Sequence, residues 1–579
     1  PIRPIRPIRP IRPINPSVRC RIMKLGDGLL LFCVVSTSGC ASQPQPPAPT
    51  SPLYTNLGSY HHAISTSSPD AQKYFDQGLI LSYAFNHAEA IRAFRQAATL
   101  DPSCAMCYWG VAFALGPNIN APITEEAAKE AWTAIEQARG LAANASENER
   151  AYIDALAKRY VADPKAERPP LDRAYADAMR EVTKRFPDDL DAATLFAQSL
   201  MDTAPWNYWE KDGSPRAFTS EVLASLESVL KRKPDHAGAI HLYIHAVEAS
   251  NDPARAEPYA DKLAALVPGA GHIVHMPAHI YLRVGRFADA SRANEDAIKA
   301  DEAYFSGDAV AGNMMYQVGY YPHNIHFFVA SASMEGRRAD ALKAATEMQS
   351  KSHPDMVRDP AMGGMIQHFQ LTPLFTMVRF GMWDDVLAQP APADDLRYMK
   401  GMWHAARGLA HVAGKRLPEA EKERTALAAL KDDPELEKLY VSSVNTGASV
   451  LDVAYELLSG ELAARQRKVA DAMRHFDQAA ALEDNLTYME PPDWPIPVRQ
   501  LQGAALLELG RAKDAEAAFR GDMKKFPNNG WSLSGLEASL ERQGRKNEAV
   551  EVKTRLDQAW RAADTKLVAA RPQPVAPKN

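Results

Sequence analysis

Apolar residues recur every three or four positions along most of this chain, from about residue 70 onward. They form successive segments of about a dozen residues, and proline and glycine stand near the segment ends. Stretches in which apolar and polar residues alternate are absent from this part of the sequence. The pattern therefore predicts amphipathic α-helices joined by short turns, with helical hairpins as the basic unit.

The predicted helices recur with a period of 34 residues. The tetratricopeptide repeat has this period, and it favours a small residue at position 8, alanine at positions 20 and 27, an aromatic residue at position 24 and proline at position 32. These five places are taken in turn by Gly78, Ala90, Phe94, Ala97 and Pro102. The same template fits near the other end of the chain at Gly503, Ala515, Phe519 and Pro527.

The template has a physical basis that also predicts the architecture. Small residues at positions 8 and 20 allow the two helices of a hairpin to approach closely, and the bulky residue at position 24 fills the space between hairpins. One hairpin cannot bury its apolar face alone, so successive hairpins stack. We therefore predict an all-α fold over residues 57–565, a right-handed α-solenoid of roughly ten to twelve tetratricopeptide hairpins that closes around a concave groove.

The first part of the chain differs from the repeat region. Residues 1–22 repeat the triplet Pro-Ile-Arg, and we interpret them as low complexity or a mis-called start. Residues 23–39 contain Met-Lys and then an apolar run too short to span a bilayer, which is typical of a signal peptide. The segment ends Ser-Thr-Ser-Gly before Cys40 and resembles a lipobox, although threonine stands where leucine is usual.

The lipobox resemblance implies cleavage before Cys40 and acylation of its thiol. The alternative is an ordinary secretory signal that is cut nearby. Residues 40–56 are rich in proline and predict an extended tether, and residues 566–579 predict a disordered tail. We thus expect an exported protein that a lipid anchors in the bacterial cell envelope, facing the periplasm from the outer membrane.

The net charge bears on whether the protein binds nucleic acid, and the cysteine content bears on whether it forms a disulfide or a zinc site. The 579 residues carry a net charge of −5; the first 39 contain six Arg, one Lys and one Asp, so without them the charge is −11. So acidic a chain is a poor nucleic-acid binder. Beyond Cys40 the only cysteines are Cys104 and Cys107. A single Cys-x-x-Cys pair in an oxidising compartment favours a disulfide over a zinc site.

Counting by the repeat places a set of histidines on one face of successive helices. They fall at repeat positions 2, 5 and 9, with a glutamate at position 12, and this face of the first helix lines the concave surface in tetratricopeptide proteins. The set is His241, His245, Glu248, His272, His275, His279, His323 and His326. Imidazole is the commonest side-chain ligand for zinc, copper and iron, so the set predicts a transition-metal site. The alternative is that these histidines only hydrogen-bond neighbouring groups.

Further residues are candidates for the groove, where they would contact a ligand. They are Trp109, Asn118 and Asn120 near the start, His404 and His411 in a later repeat, and Glu490 and Trp494 in an irregular insertion that we expect to cover the groove. No catalytic residue is predicted. The segments around His241 and His275 lack the glutamate of a zinc-protease helix, and no phosphate-binding loop or nucleophile elbow is present.

Several short motifs resemble an uncharacterised group of bacterial tetratricopeptide proteins. They are Cys-Ala-Met-Cys-Tyr-Trp-Gly at 104–110, Gly-Pro-Asn-Ile-Asn at 116–120, His-Met-Pro-Ala-His-Ile-Tyr at 275–281, Tyr-Pro-His-Asn-Ile-His-Phe at 321–327 and Glu-Pro-Pro-Asp-Trp at 490–494. The resemblance spans nearly the whole chain after Cys40. It implies the repeat fold and adds no activity.

Three functions follow as hypotheses. The first is an envelope-tethered tetratricopeptide protein that binds a transition metal, or a small ligand held by a metal, through the inward-facing histidines. The second is a protein-protein interaction scaffold in the envelope, because tetratricopeptide grooves hold extended peptides or partner helices. The third is a metal-dependent hydrolase or oxidase with an open coordination position.

Overall fold

The computed structural model describes residues 51–306, 313–442 and 444–573. The low-complexity segment 1–22, the predicted signal peptide 23–39 and the predicted acylation site Cys40 lie outside the described residues.

The described residues form α-helices almost throughout. The first group is α1 (Pro69–Tyr83), α2 (His87–Leu100), α3 (Ala105–Ala114), α4 (Glu125–Gly140), α5 (Glu147–Leu156), α6 (Arg168–Arg185), α7 (Leu190–Asp202), α8 (Ala217–Arg232), α9 (Ala237–Val247), α10 (Glu257–Leu266), α11 (Gly271–His275), α12 (Pro277–Val284) and α13 (Phe287–Phe305). The second group is α14 (Tyr321–Met334), α15 (Arg338–Lys351), α16 (Gly363–Arg379), α17 (Trp383–Ala388), α18 (Arg397–Ala413), α19 (Leu417–Lys431), α20 (Gly447–Arg465), α21 (Val469–Asn485), α22 (Val498–Glu508), α23 (Ala512–Lys525), α24 (Gly530–Arg542) and α25 (Lys546–Ala559).

Short irregular elements connect some of these helices. Single 3-10 turns occur at Ala142–Asn144, Ala157–Arg159, Pro253–Ala256 and Pro354–Met356, and a π-helical turn at Tyr316–Tyr320 precedes α14. Two short antiparallel strands follow α25, namely β1 (Leu567–Val568) and β2 (Arg571–Pro572). Each helix in the described part of the chain is either too short or too polar to cross a membrane.

Aromatic residues at repeat position 24 lock the hairpins together. Phe94 on α2 packs between Gly78 on α1 and Gly110 on α3, where an added Cβ would lie 2.7 and 2.3 Å from the phenyl ring. Phe519 on α23 lies in the same way against Gly503 and Gly535, with corresponding distances of 2.5 and 2.1 Å. The helices therefore approach so closely that a methyl group would clash. This packing confirms the predicted all-α solenoid of tetratricopeptide hairpins.

The solenoid closes on itself and so encloses its concave side. At the C-terminal end, the Trp531 indole N–H donates to the Ser333 carbonyl at 2.8 Å, although 198 residues separate the two in sequence. At the N-terminal end, the Tyr304 hydroxyl donates to Glu89 at 3.2 Å. Contacts over such sequence distances bring both ends of the array against its middle repeats.

Two segments that the sequence predicts to be extended or disordered are ordered where the structure describes them. The tether prediction is wrong from residue 51 onward, because buried Ser51 donates to Glu89 at 3.1 Å and the Tyr54 amide donates to Gln77 at 2.8 Å. The tail prediction is wrong for residues 566–573. Here the two strands pair, Ala570 is buried, and the Arg571 guanidinium reaches Glu461 and Glu508.

Candidate metal centre

Three consecutive first helices of hairpins carry the predicted histidines to the inner side of the solenoid. Residues four apart share a face of a helix, so α9 presents His241 and His245 together. Six of the eight predicted residues are at most 3% exposed, namely Glu248 and the five histidines His241, His245, His272, His275 and His279. Histidine is usually at least partly exposed. The burial of five rings side by side therefore raises the question of which groups their nitrogen atoms bind.

The first group of rings is His241, His245 and His272, with ligand atoms within 4.8 Å of one another. The Nδ1 atom of His241 donates to the backbone carbonyl of Tyr83 at 2.5 Å. This bond leaves the lone pair of His241 on Nε2, which lies 3.2 Å from Nε2 of His272. Nδ1 of His272 and Nε2 of His245 are buried and have no hydrogen-bond partner.

The second group of rings is His275, His279 and His323, again with ligand atoms within 4.8 Å of one another. Nδ1 of His275 donates to the side-chain oxygen of Asn294 at 2.7 Å. The Asn294 amide nitrogen donates to the Ala290 carbonyl at 2.7 Å, which fixes the orientation of this side chain. The lone pair of His275 is therefore on Nε2, which lies 2.8 Å from Nε2 of His279.

Glu248 follows α9 directly and links the two groups. One of its oxygens accepts a hydrogen bond from Nδ1 of His245 at 2.8 Å, and the other accepts one from Nδ1 of His279. The sequence placed Glu248 among the metal ligands, and it forms a third group with His279 and Glu490, in which the ligand atoms lie within 4.8 Å of one another. Because imidazole N–H groups occupy both oxygens, Glu248 orients two rings from behind, which is the usual role of a carboxylate next to a histidine ligand.

Burial and neighbouring charges set the protonation of these groups. Burial lowers the pKa of His241, His272 and His275 well below the usual histidine value, and that of His323 to about 3. These rings are neutral at physiological pH, which is the state that binds a metal. Burial also opposes charge on His279, but Glu248 raises its pKa to about 10. In return, against the effect of burial, His279 and His245 lower the pKa of Glu248 to about 2.

The distances between ring nitrogens suit a tetrahedral ion. Zinc binds imidazole nitrogen at about 2.0–2.1 Å, which places two tetrahedral ligands roughly 3.3 Å apart. The Nε2 pairs of His241 with His272 and of His275 with His279, at 3.2 and 2.8 Å, are close to this separation. The unpartnered Nε2 atom of His245 supplies a further lone pair in the first group. The donor set thus fits a nitrogen-liganded transition metal.

The groups open into a cavity of about 120 Å³. Its wall includes Asn120, whose side chain donates to the Tyr320 hydroxyl at 3.0 Å, and the thioether side chains of Met315, Met365 and Met489. Glu490 closes the cavity from the irregular insertion before α22, and a carboxylate oxygen lies 3.3 Å from Nδ1 of His279. The insertion therefore covers the groove at the histidines.

His326 lies apart from the two groups of three. Its ring faces that of His368 with centroids 5.6 Å apart, on the far wall of the cavity. His368 in turn contacts the Tyr398 hydroxyl through Nδ1 at 2.8 Å. His326 therefore lines the same cavity as the two groups of three but belongs to neither group.

Five candidate groove residues lie elsewhere. Trp109 is buried in the core, where its ring stacks on Phe113, because the first hairpins pack this face of α3 against α1 and α5. Asn118 caps its own turn by accepting from the amides of Asn120 and Ala121. The remaining three are outside the histidine cavity: His404 and His411 lie near Glu423 beside α19, and Trp494 borders a neighbouring cavity.

Sequence reasoning missed the groups that orient the rings. The Tyr83 carbonyl comes from the turn after α1 and carries no signal in the sequence. Asn294 does carry one, because it occupies repeat position 24, where the template has an aromatic residue. A polar side chain in that slot indicates a partner inside the solenoid.

Cys104 and Cys107, at the start of α3, are joined in a disulfide.

Comparison with known proteins bears on the fold. A family model described as tetratricopeptide repeat matches residues 71–104. No curated protein matches the chain. Similar solved structures include a human IFIT1 dimer with m7Gppp-AAAA, at 12% identity over 86% of this chain and 91% of that chain with a TM-score of 0.31. Yeast Tom70 is 11% identical over 85% of this chain and 91% of that chain, with a TM-score of 0.26.

A third similar structure is the APC/C hetero-tetramer Cut9-Hcn1, at 13% identity over 84% of this chain and 76% of that chain with a TM-score of 0.28. Likenesses this remote carry no argument about ligands or partners. Repeats of this kind generally serve as scaffolds that bind other proteins. The match at residues 71–104 shows a tetratricopeptide repeat in this chain, and the stacked helical hairpins of the described residues have the architecture of such repeats.

Proposed function

We propose that this protein binds a transition metal ion through the inward-facing histidines of α9, α11, α12 and α14. The observation that carries the proposal is the state of the ring nitrogens. His241, His245 and His275 each direct Nδ1 to a backbone, carboxylate or amide oxygen, which leaves Nε2 available. His279 directs Nδ1 to Glu248 in the same way, and a metal ion would have to displace the proton that its raised pKa keeps on Nε2. Ligand histidines in metalloproteins are held in this way.

The alternative is a set of structural histidines that only hydrogen-bond one another. A structural set would satisfy its buried nitrogens, because each unpaired buried polar group costs about 1–3 kcal/mol. His245 and His272 each retain a buried nitrogen with no partner, and both belong to the first group. A bound metal ion would take the lone pair on Nε2 of His245, and imidazole ligands favour zinc, copper or iron.

Elemental analysis of the purified protein tests the proposal. We expect zinc, copper or iron at one or more ions per chain, and after removal by chelation we expect zinc to rebind. The double variant His275→Ala/His279→Ala should lose the metal, whereas His404→Ala, which changes a histidine on α18 outside the cavity, should retain it. A wild-type protein that stays metal-free after incubation with all three metals would refute the proposal.

A protein-protein interaction scaffold is the second candidate, and the match to the tetratricopeptide repeat at residues 71–104 favours it. The concave side at the histidines is covered by residues 489–493, so a partner would bind elsewhere on the array. Cross-linking in intact cells, followed by purification of the chain, should then recover a defined partner.

The third candidate is a metal-dependent hydrolase or oxidase. Catalytic turnover that disappears when the metal is removed would support it.

We further propose that the chain is exported and anchored in the cell envelope by a lipid on Cys40. The support is the apolar run and the small residues that precede this cysteine. Metabolic labelling with a fatty acid should mark the wild type, and Cys40→Ser should release soluble, unlabelled protein. Membrane association that persists in the variant would contradict the anchor.

A further inference from the structure

A second cavity lies next to the histidine cavity and shares His326, His368 and Pro491 with it. Its volume is about 60 Å³, and its wall is mainly apolar. The apolar wall comes from α14, α16 and α18 and the start of α22, with Val329, Leu371, Phe375 and Met402 among its side chains. One charged side chain stands in this wall, that of Arg379 at the end of α16, and it also borders a further cavity together with Gln500 and Trp531.

Arg379 is buried without a carboxylate beside it. The side chain is 7% exposed, and no described carboxylate lies within ion-pair distance of it. Its Nη1 donates to the Gln500 side-chain oxygen at 2.6 Å, its Nη2 lies 3.7 Å from the Met334 sulfur, and its guanidinium stacks on Trp531 at 3.9 Å. All three direct partners are uncharged.

Another buried arginine in the same chain provides a contrast. Arg159 is 1% exposed, and its guanidinium reaches Asp172 at 2.9 Å and Asp202 at 3.0 Å. This is how a structural buried cation is satisfied, because an unpaired charge in the interior costs several kcal/mol. The charge of Asp522 acts on Arg379 across Gln500, whose amide nitrogen donates to Asp522 at 2.9 Å. Arg379 therefore lacks the direct anion that Arg159 has.

A donor in the same wall lacks an acceptor altogether. Trp494 borders the cavity, and its indole nitrogen is buried with no hydrogen-bond partner. Tryptophan can only donate at this atom, so the group it lacks is an acceptor. A buried cation and an unsatisfied donor in an otherwise apolar cavity are the features expected of a site for an amphipathic anion.

We propose that this cavity binds a short aliphatic carboxylate, with its carboxylate on the Arg379 guanidinium and its chain against the apolar wall. A guanidinium matches a carboxylate with two parallel hydrogen bonds, and the pair is strengthened by exclusion of water. The site is distinct from the histidine groups, and its occupation does not require a bound metal. The outcome of the metal analysis therefore leaves this proposal unaffected.

Calorimetric titration of the chelator-treated protein with hexanoate tests the site, with hexanol as the uncharged analogue of the same chain length. We expect hexanoate to bind at least roughly tenfold more tightly than hexanol, since a charge-assisted hydrogen bond contributes about 1.5–3 kcal/mol. Equal binding of the two probes, or no binding of hexanoate, would overturn the proposal without any variant.

Variants then locate the site. Arg379→Met should abolish the preference for hexanoate over hexanol, whereas Arg407→Met, which removes an arginine from α18 away from the cavity, should preserve it. Val329→Phe fills the cavity and leaves Arg379 in place, so it should prevent binding of both probes. Hexanoate binding that survives Val329→Phe would show that the anion reaches Arg379 from another side and would reject this cavity.

Discussion

The Nε2 atoms of His275 and His279 lie 2.8 Å apart, across the break that Pro277 introduces between α11 and α12. Proline has no amide hydrogen, so the chain turns at this point while the two rings keep the spacing of one helical face. Because Nδ1 of each ring is bound to an oxygen, a proton or a metal ion must lie between the two Nε2 atoms. The pair is thus the most direct place to look for the metal.

Zinc is expected to stabilise the wild-type protein. An ion that binds only the folded state raises the free energy of unfolding by about 2.7 kcal/mol when its free concentration is a hundred times its dissociation constant. Differential scanning calorimetry should therefore show a higher melting temperature with zinc than with chelator. His404→Ala should respond as the wild type does, and His275→Ala/His279→Ala should not respond. An equal response of all three proteins would place the ion elsewhere.

Replacement of Glu248 by glutamine should weaken the metal site. The carboxylate accepts from His245 on one oxygen and from His279 on the other, whereas an amide replaces one of these oxygens with an NH₂ group that can only donate. We expect metal affinity to fall about 10–100-fold, as for other residues that orient ligand histidines. Competition with a chromophoric chelator measures the affinity.

The comparison variant for this prediction is Glu490→Gln. Glu490 contacts the cluster only through a 3.3 Å approach to His279, so its replacement should change the affinity less. The orienting role assigned to Glu248 would be contradicted if Glu490→Gln had the larger effect.

Trp109→Ala should destabilise the fold without altering metal binding. The ring is buried against Phe113, Tyr152 and Phe75, and truncation of a buried tryptophan costs about 3–5 kcal/mol. Chemical denaturation should show this loss, whereas Trp132→Ala, at a half-buried position on α4, should cost less. Loss of metal from folded Trp109→Ala protein would show that Trp109 supports the metal site, as the sequence predicted for a groove residue.

Stability should fall as the pH rises through neutrality because of Glu483. This carboxyl is buried, one of its oxygens has no hydrogen-bond partner, and burial raises its pKa from 4.5 to about 7. A carboxyl with a raised pKa contributes most to stability below its unfolded value, and the contribution is lost as pH rises through the folded value.

The Glu483→Gln variant isolates this effect. It should unfold at nearly the same denaturant concentration as the wild type near pH 4.5 and be more stable by on the order of 2–4 kcal/mol above pH 8. Glu551→Gln, at an exposed position of α25, should follow the wild type at every pH. Parallel curves for Glu483→Gln and the wild type would show that Glu483 ionises freely in the folded protein.

The local repeat pattern was sufficient to predict the fold. Gly78, Phe94 and Gly110 contact one another because a small residue and an aromatic residue recur at fixed positions, and these contacts span neighbouring hairpins only. Helical periodicity likewise predicted that His241 and His245 share one face, and that the histidines of α11, α12 and α14 occupy equivalent positions. Such relationships depend on the geometry of one or two hairpins.

By itself, then, the sequence determined the repeat, the helices and the side of each helix that carries a histidine. Only the tertiary structure decided that Tyr83, Asn294 and Glu490 meet those rings, that Trp109 is buried in the core, and that Arg379 borders a cavity. These placements depend on how far the array curves before its ends contact the middle. Small rotations between hairpins accumulate over many repeats to set that curvature, so a count by thirty-four along the chain cannot supply it.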